Sequence, residues 1–204
     1  MTTHWTRLDS PLGPVLLTAG PDGTLTSLSL PEQKGGRSVR EGWRHDPELF
    51  REAEEQLAAY FAGDLKEFRL PMRGEGTAFR ERVWQALDSV PYGSTVTYGE
   101  IAARIGASRA AVRAVGTAVG ANPLLVLRPC HRVIGADGSL TGYAAGLDRK
   151  RHLLTLEGVL QSFSGPGPYA HRVVDDRISP YAQRPAPVTP TAPRRATRPR
   201  SAGR

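Results

Sequence analysis

The chain has 204 residues, 39% of them hydrophobic, which is length enough for one ordinary domain or two small ones with a real core. No stretch approaches the length of a membrane span, and residues 1–7 carry no apolar run behind their charge, so neither an anchor nor a secretory signal is expected. A soluble cytoplasmic protein is the expectation, and a single cysteine, which cannot form an internal disulfide, agrees with a reducing compartment. The net charge of +7 is unevenly spread. Residues 161–204 hold 8 basic and 2 acidic side chains, residues 77–160 hold 10 and 6, and residues 1–76 hold 9 and 12. A basic middle beside an acidic first part points to a polyanionic partner for the middle.

In chain order, residues 4–30 read as β structure. Val15-Leu16-Leu17-Thr18 and the run from Leu25 to Leu30 flank the turn Gly20-Pro21-Asp22-Gly23, a hairpin signal. Residues 31–46 are a polar loop. Pro47 opens a helix to about Phe61, with the stripe Phe50, Ala53, Leu57, Tyr60 and Phe61, and Gly63 stops it. A short strand at 68–70 would complete a small α+β unit that carries no chemical motif. From Thr77, which can cap a helix carrying Phe79, Val83, Trp84 and Leu87, the pattern turns helical. Thr97 can cap a second helix with Ile101, Ala102 and Ile105, and Ser108 a third from Arg109 to about Gly120, broken by Asn122-Pro123. Leu124-Leu125-Val126-Leu127 reads as an extended run into Pro129-Cys130, and a last helix runs over 148–157. Eight of the 17 prolines lie in 161–204, where a disordered arginine-rich tail is expected. The division expected is therefore 1–76, 77–160 and 161–204. The fold class expected is α+β: a small N-terminal α/β domain, a mostly helical winged-helix-like domain with a helix-turn-helix, then the tail.

Cys130 sits in Arg128-Pro129-Cys130-His131-Arg132-Val133-Ile134. Pro129 restrains the backbone on both sides, and the histidine and arginine after the thiol are the neighbours that activate a thiolate. A cysteine, a histidine and the later Glu157 have the composition of a relay of nucleophile, base and orienting carboxylate. Free cysteine is also among the most buried residue types, and a glutamate near a helix end is ordinarily a surface residue, so the bland reading stands beside the chemical one. The helices around Gly106-Ala107-Ser108 have helix-turn-helix spacing and would show Ser108, Arg109 and Arg113 to a groove, while Val112, Val115 and Val119 pack inward. An ordinary core helix pair fits the same pattern. His4, His45, His131, His152 and His171 share no metal-ligand spacing, so no metal and no cofactor are expected. Gly74-Glu75-Gly76 reads as a plain loop.

Taken in order, Tyr98-Gly99-Glu100-Ile101-Ala102, Arg113-Ala114-Val115-Gly116, Asn122-Pro123, Pro129-Cys130-His131-Arg132-Val133-Ile134-Gly135 and Leu140-Thr141-Gly142-Tyr143 resemble the O6-alkylguanine-DNA alkyltransferase family over about 77–158. The resemblance implies direct-reversal DNA repair. Cys130 takes the alkyl group from O6 of guanine, with O4-alkylthymine as a second substrate, and keeps it as a thioether, so each molecule acts once. His131 would deprotonate the thiol through a water, Glu157 would hold the histidine, and Asn122 would brace the segment. Tyr143 would donate a hydrogen bond to the departing guanine. Tyr98 would press on the phosphate beside the lesion and Arg113 would fill the stack vacated by a flipped nucleotide, with Ser108, Arg109 and Arg132 as further DNA contacts. The partner implied is double-stranded DNA bound through the minor groove by a monomer.

Two positions depart from the family's pattern. Arg128 stands where an apolar residue is usual, and either favours thiolate or adds an unpaired buried charge that lowers stability. Ala144 stands where some relatives carry a serine that helps hold the base. Two rivals remain at this point: a lesion sensor that uses the helix pair without chemistry, and a thiol hydrolase that turns over many times.

Overall fold

The computed structural model describes residues 2–160; the expected tail, with His171, lies outside them. The N-terminal part is a four-stranded sheet of β1 (His4–Leu8), β2 (Val15–Ala19), β3 (Leu25–Ser29) and β4 (Arg44–His45), in the order β3-β2-β1-β4. β1–β2 and β2–β3 are antiparallel, with Leu8 opposite Val15 and Leu16 opposite Ser29, and the short β4 runs parallel to β1. β2 and β3 are buried along their whole length. Their polar side chains satisfy one another: Thr18 hydrogen-bonds Thr26 at 2.8 Å and Ser27 at 2.6 Å, which removes the cost of burying three hydroxyls.

The helix expected from Pro47 begins as a single 3-10 turn over Pro47–Phe50 and continues as α1 (Arg51–Ala62), capped by Gly63 in the left-handed region. Its buried stripe holds Ala53, Leu57 and Tyr60. The strand expected at 68–70 does not form. One parallel bridge joins Leu25 to Met72, through Leu25 N–H to Pro71 O at 2.8 Å and Arg73 N–H to Leu25 O at 2.8 Å. Pro71, lacking an N–H, interrupts any longer ladder.

The second part is helical: α2 (Ala78–Asp88), α3 (Tyr98–Arg104), α4 (Val112–Gly120) and α5 (Leu147–Leu156), with β5 (Val96–Thr97) and β6 (Val133–Ile134) paired in parallel. Thr77 caps α2 through its side chain. Thr97 and Glu100 form a reciprocal capping box at the start of α3, which fixes the entry of the helix carrying Tyr98. Gly106, at φ +65°, makes the turn between the helix pair, where a side chain would be strained. Ser108 does not cap with its side chain: Arg109–Ala111 form a 3-10 turn before α4 begins. Val115 and Val119 are buried against α2 and α3, and Trp84 of α2 donates its indole N–H to Ala118 O of α4 at 2.9 Å. Gly74 and Gly76 let the preceding loop cross the Trp84 ring, since a Cβ there would lie 2.8 Å and 2.7 Å from ring carbons.

The two parts share one core. Backbone bonds also cross between them: Leu28 N–H to Pro123 O at 2.9 Å and Lys34 N–H to Ala144 O at 2.9 Å. Arg149 of α5 reaches back to Leu12 O and Pro31 O at 2.9 and 3.0 Å. Among the described residues no helix is long and apolar enough to cross a membrane.

Candidate functional site

The run from Leu124 to Leu127 is not extended. It winds through tight turns, with Arg128 N–H to Leu124 O, Leu127 N–H to Leu125 O and Cys130 N–H to Arg128 O all at 2.8 Å. Val126 adopts φ +68°, a costly conformation for a β-branched residue, worth about 1–3 kcal/mol of strain. Asn122 holds these turns. Its Oδ1 accepts from Leu124 N–H at 3.1 Å, and its Nδ2 donates to Leu124 O (3.3 Å), Arg128 O (3.1 Å) and Cys130 Sγ (3.1 Å). Periodicity cannot foresee this, because the shape comes from one buried carboxamide and Pro129.

Cys130 and His131 share a 3-10 turn, Cys130–Arg132, so the two side chains are not forced to opposite faces as they would be in a strand. Cys130 is 3% exposed and His131 is 0% exposed. Burial pushes the Cys130 thiol up, and the Asn122 hydrogen bond with the positive fields of Lys150 and Arg128 offsets only part of that. The resting thiol is protonated at neutral pH and needs a base. Burial likewise lowers the His131 pKa, against the opposing pull of Glu157, so the imidazole is neutral. Its Nε2 lies 2.8 Å from Glu157 Oε1, an acceptor-only atom, so Nε2 carries the proton. Nδ1 then has a lone pair, and it has no protein hydrogen-bond partner.

Glu157 follows α5 as its C-cap, with its side chain fully buried. Arg132 grips both its oxygens, Nε to Oε2 at 2.9 Å and Nη2 to Oε1 at 2.9 Å, and Gly93 N–H reaches Oε2 at 3.3 Å. Burial pushes this carboxyl up, but the hydrogen bonds and charges of its partners outweigh it and hold the pKa at about 2, with Arg132 the permanent counter-ion. Arg132, expected among the DNA contacts, is thus buried and engaged internally, with Nη1 donating to Val90 O at 2.5 Å.

Two side chains that sequence reasoning passed over belong to the site. Tyr60 of α1 donates its hydroxyl to Glu157 Oε1 at 2.7 Å. Lys150 of α5 is fully buried, its ammonium on Val133 O (2.5 Å) and Thr141 O (2.6 Å), tying β6 to the segment before Tyr143; burial brings its pKa down to about 8. A polar residue on the apolar stripe of a helix was the available signal for each. Tyr143 places a buried hydroxyl without a protein partner near the thiol, close enough for a thiolate to raise its pKa further beyond what burial does. Tyr98 lies over the surface, half-buried, with its hydroxyl on Thr141 O at 3.2 Å. Arg113 is exposed on the first turn of α4, and Ser108 and Arg109 are exposed at the 3-10 turn that precedes it. Among the described residues no group of three or more His, Cys, Asp or Glu could hold a metal ion.

Arg128 is buried, and the expectation of an unpaired charge is overturned. Its guanidinium meets Asp88 at the end of α2 through two bonds, 2.8 and 3.1 Å, and lies 5.6 Å from the Trp84 ring centroid.

Two family models match the chain. The one described as the 6-O-methylguanine DNA methyltransferase ribonuclease-like domain covers residues 3–73, and the one described as the DNA binding domain of the same protein covers residues 78–159. The chain is 54% identical over 154 residues to the methylated-DNA–protein-cysteine methyltransferase of Mycolicibacterium paratuberculosis, spanning 76% of this chain and 92% of the relative. It is 50% identical over 155 residues to that of Methanosarcina acetivorans, spanning 76% and 98%. The crystal structure of Mycobacterium tuberculosis OGT in complex with DNA superposes with a TM-score of 0.71 at 52% identity, over 76% of this chain and 93% of that one.

Two stability predictions follow from this geometry. Asp88→Ala strands the Arg128 guanidinium and should cost about 2 kcal/mol in urea unfolding, between the surface and buried ranges because Asp88 is 41% exposed. Arg128→Met, which keeps an apolar stem on Trp84, should cost less. The second concerns acid. The folded pKa values of His131 and Glu157 both lie below their unfolded values, so the unfolded chain binds more protons and stability is lost as the pH is lowered. Loss should begin below the ordinary histidine value of 6.5 and steepen from 4.5 towards about 2. Glu157→Gln should be less stable at pH 7 and show a flatter slope below pH 4.5 in acid titrations of the unfolding midpoint.

Proposed function

Because the chain belongs to the methylated-DNA–protein-cysteine methyltransferase family, we propose that it repairs DNA by moving the alkyl group of O6-alkylguanine onto Cys130 in a single irreversible event. The observation that carries this reading is the gathering of Cys130, Asn122, His131 and Glu157 into one buried constellation. His131 Nδ1 takes the thiol proton, through a water, while Nε2–H stays on the carboxylate. The Sγ lone pair attacks the alkyl carbon, the carbon–O6 bond breaks, and its electrons return to the guanine ring. Tyr143, with a hydroxyl that has no protein partner, donates a hydrogen bond to the leaving base. Asn122 holds the sulfur on line. A thioether has no acyl carbon for water to attack, so nothing in this site regenerates the thiol and the protein is consumed.

An O6 adduct faces the inside of the duplex, and Cys130 is buried, so the nucleotide must leave the stack to meet it. α3 and α4 form the DNA face. Arg113 fills the gap in the stack, Tyr98 bears on the neighbouring phosphate, and Ser108 and Arg109 contact the backbone from the minor groove, bound by a monomer. The division of labour falls at 76/77, with the DNA face and the thiol both on the later part. O4-alkylthymine presents the same alkyl–oxygen bond and is a second substrate on this reading.

The test is mass spectrometry after incubation with an oligonucleotide carrying O6-methylguanine. One methyl group should appear on Cys130, never more than one per protein, and none on Cys130→Ser; repaired DNA in excess of protein would point to a hydrolase, and binding with no adduct to a sensor. Arg109→Ala should weaken binding to all duplexes alike and reduce the slope of log affinity against log salt by about 1, read by fluorescence anisotropy.

A further inference from the structure

Glu157 is over-supplied with donors for a residue whose task is to orient one imidazole. Its Oε1 accepts from His131 Nε2 (2.8 Å), Arg132 Nη2 (2.9 Å) and the Tyr60 hydroxyl (2.7 Å). Arg132 with Gly93 already fixes the plane of the carboxylate. Tyr60 stands apart from the other donors because it comes from α1, 97 positions away along the chain. Its ring is 0% exposed, edge-on to Phe61 and Tyr92 and tilted against Phe68. A phenylalanine would fill that space, so the hydroxyl is the informative atom. Burial and the adjacent Glu157 push its pKa far above the ordinary tyrosine value, so it is a donor at every working pH.

We propose that Tyr60 is a positioning residue for the alkyl transfer: by donating to the oxygen that also receives His131, it draws charge from that oxygen and keeps the imidazole neutral. The proposal rests on the repair reading above, in which a neutral His131 accepts the thiol proton. Tyr60 and His131 compete for one acceptor, Glu157 Oε1. A bare carboxylate pulls a proton onto the imidazole beside it, and a protonated imidazole cannot act as the base. Each further donor to Oε1 weakens that pull. The other groups facing the pair are the Arg132 and Lys150 cations, which also oppose protonation of His131, and the hydroxyls of Tyr92 and Tyr143, whose burial keeps them neutral. Tyr92 donates elsewhere, to Leu156 O at 3.0 Å.

The experiment is the single-turnover rate of methyl transfer from an O6-methylguanine duplex, measured from pH 4.5 to 7.5, below the range in which Lys150 loses its charge. In Tyr60→Phe the acid limb should move up by about half to one pH unit, while the rate at the neutral end of the range stays within about twofold of the parent. Placing 3-fluorotyrosine at position 60, a stronger donor of nearly the same shape, should move the limb down, and this variant keeps the test open if Tyr60→Phe fails to fold. Tyr92→Phe, which loses a part-buried hydroxyl bonded to Leu156 O and not to Glu157, should leave the limb in place. Superimposable limbs for the parent and the position-60 variants would overturn the proposal. If the parent itself transfers no methyl group, the repair reading fails instead, and the two failures are told apart.

Discussion

The buried carboxylate of Glu157 is the constraint on which the rest of the molecule depends. An ionised group with no solvent contact persists only if its lone pairs are filled and a counter-ion stands against it. Here the filling comes from three places: the turn after Cys130, the loop after α2 through Gly93, and α1 through Tyr60. Satisfying that one charge fixes the imidazole, and fixing the imidazole leaves Nδ1 as its basic atom. The chemistry therefore starts from a folding requirement.

A second, independent scaffold holds the sulfur. Asn122 caps the turns that precede Cys130 and touches Sγ directly, so the backbone strain at Val126 is retained within a closed set of hydrogen bonds. Arg128 shows how a long cationic side chain is accommodated at such a place. Its carbonyl accepts from both Asn122 and Cys130, and its guanidinium is carried away from the sulfur to Asp88 and Trp84. The charge still lowers the thiol pKa at a distance, but it costs the core no unpaired ion.

Much of this was legible in the sequence because it is local. Thr77 and Thr97 announce helix starts, Gly63 announces a stop, and the Asn-Pro, Pro-Cys-His-Arg and Tyr98 motifs carry the family. What stayed hidden depends on distant partners. The run at 124–127 has strand-like composition, yet a single carboxamide bends it into turns. The stretch at 68–70 has aromatic and apolar residues but only one bridge beyond it, at Met72, beside a proline. Arg132 reads as a DNA contact in the sequence because its partner lies 25 residues on, and Tyr60 reads as an ordinary stripe residue because its partner lies 97 away. Arg128 looked unpaired because Asp88 is 40 positions earlier.

The backbone bond from Leu28 to Pro123 joins the edge of the N-terminal sheet to the residue beside Asn122. With Tyr60 it makes the two parts of the chain share both a ladder and a charge. Melting either part alone would expose the other's buried polar groups. The protein should therefore lose its structure in one cooperative step, and a fragment starting at Thr77 would keep the Arg132, His131 and Gly93 bonds to its glutamate but lose the Tyr60 donor and the sheet that covers Pro123.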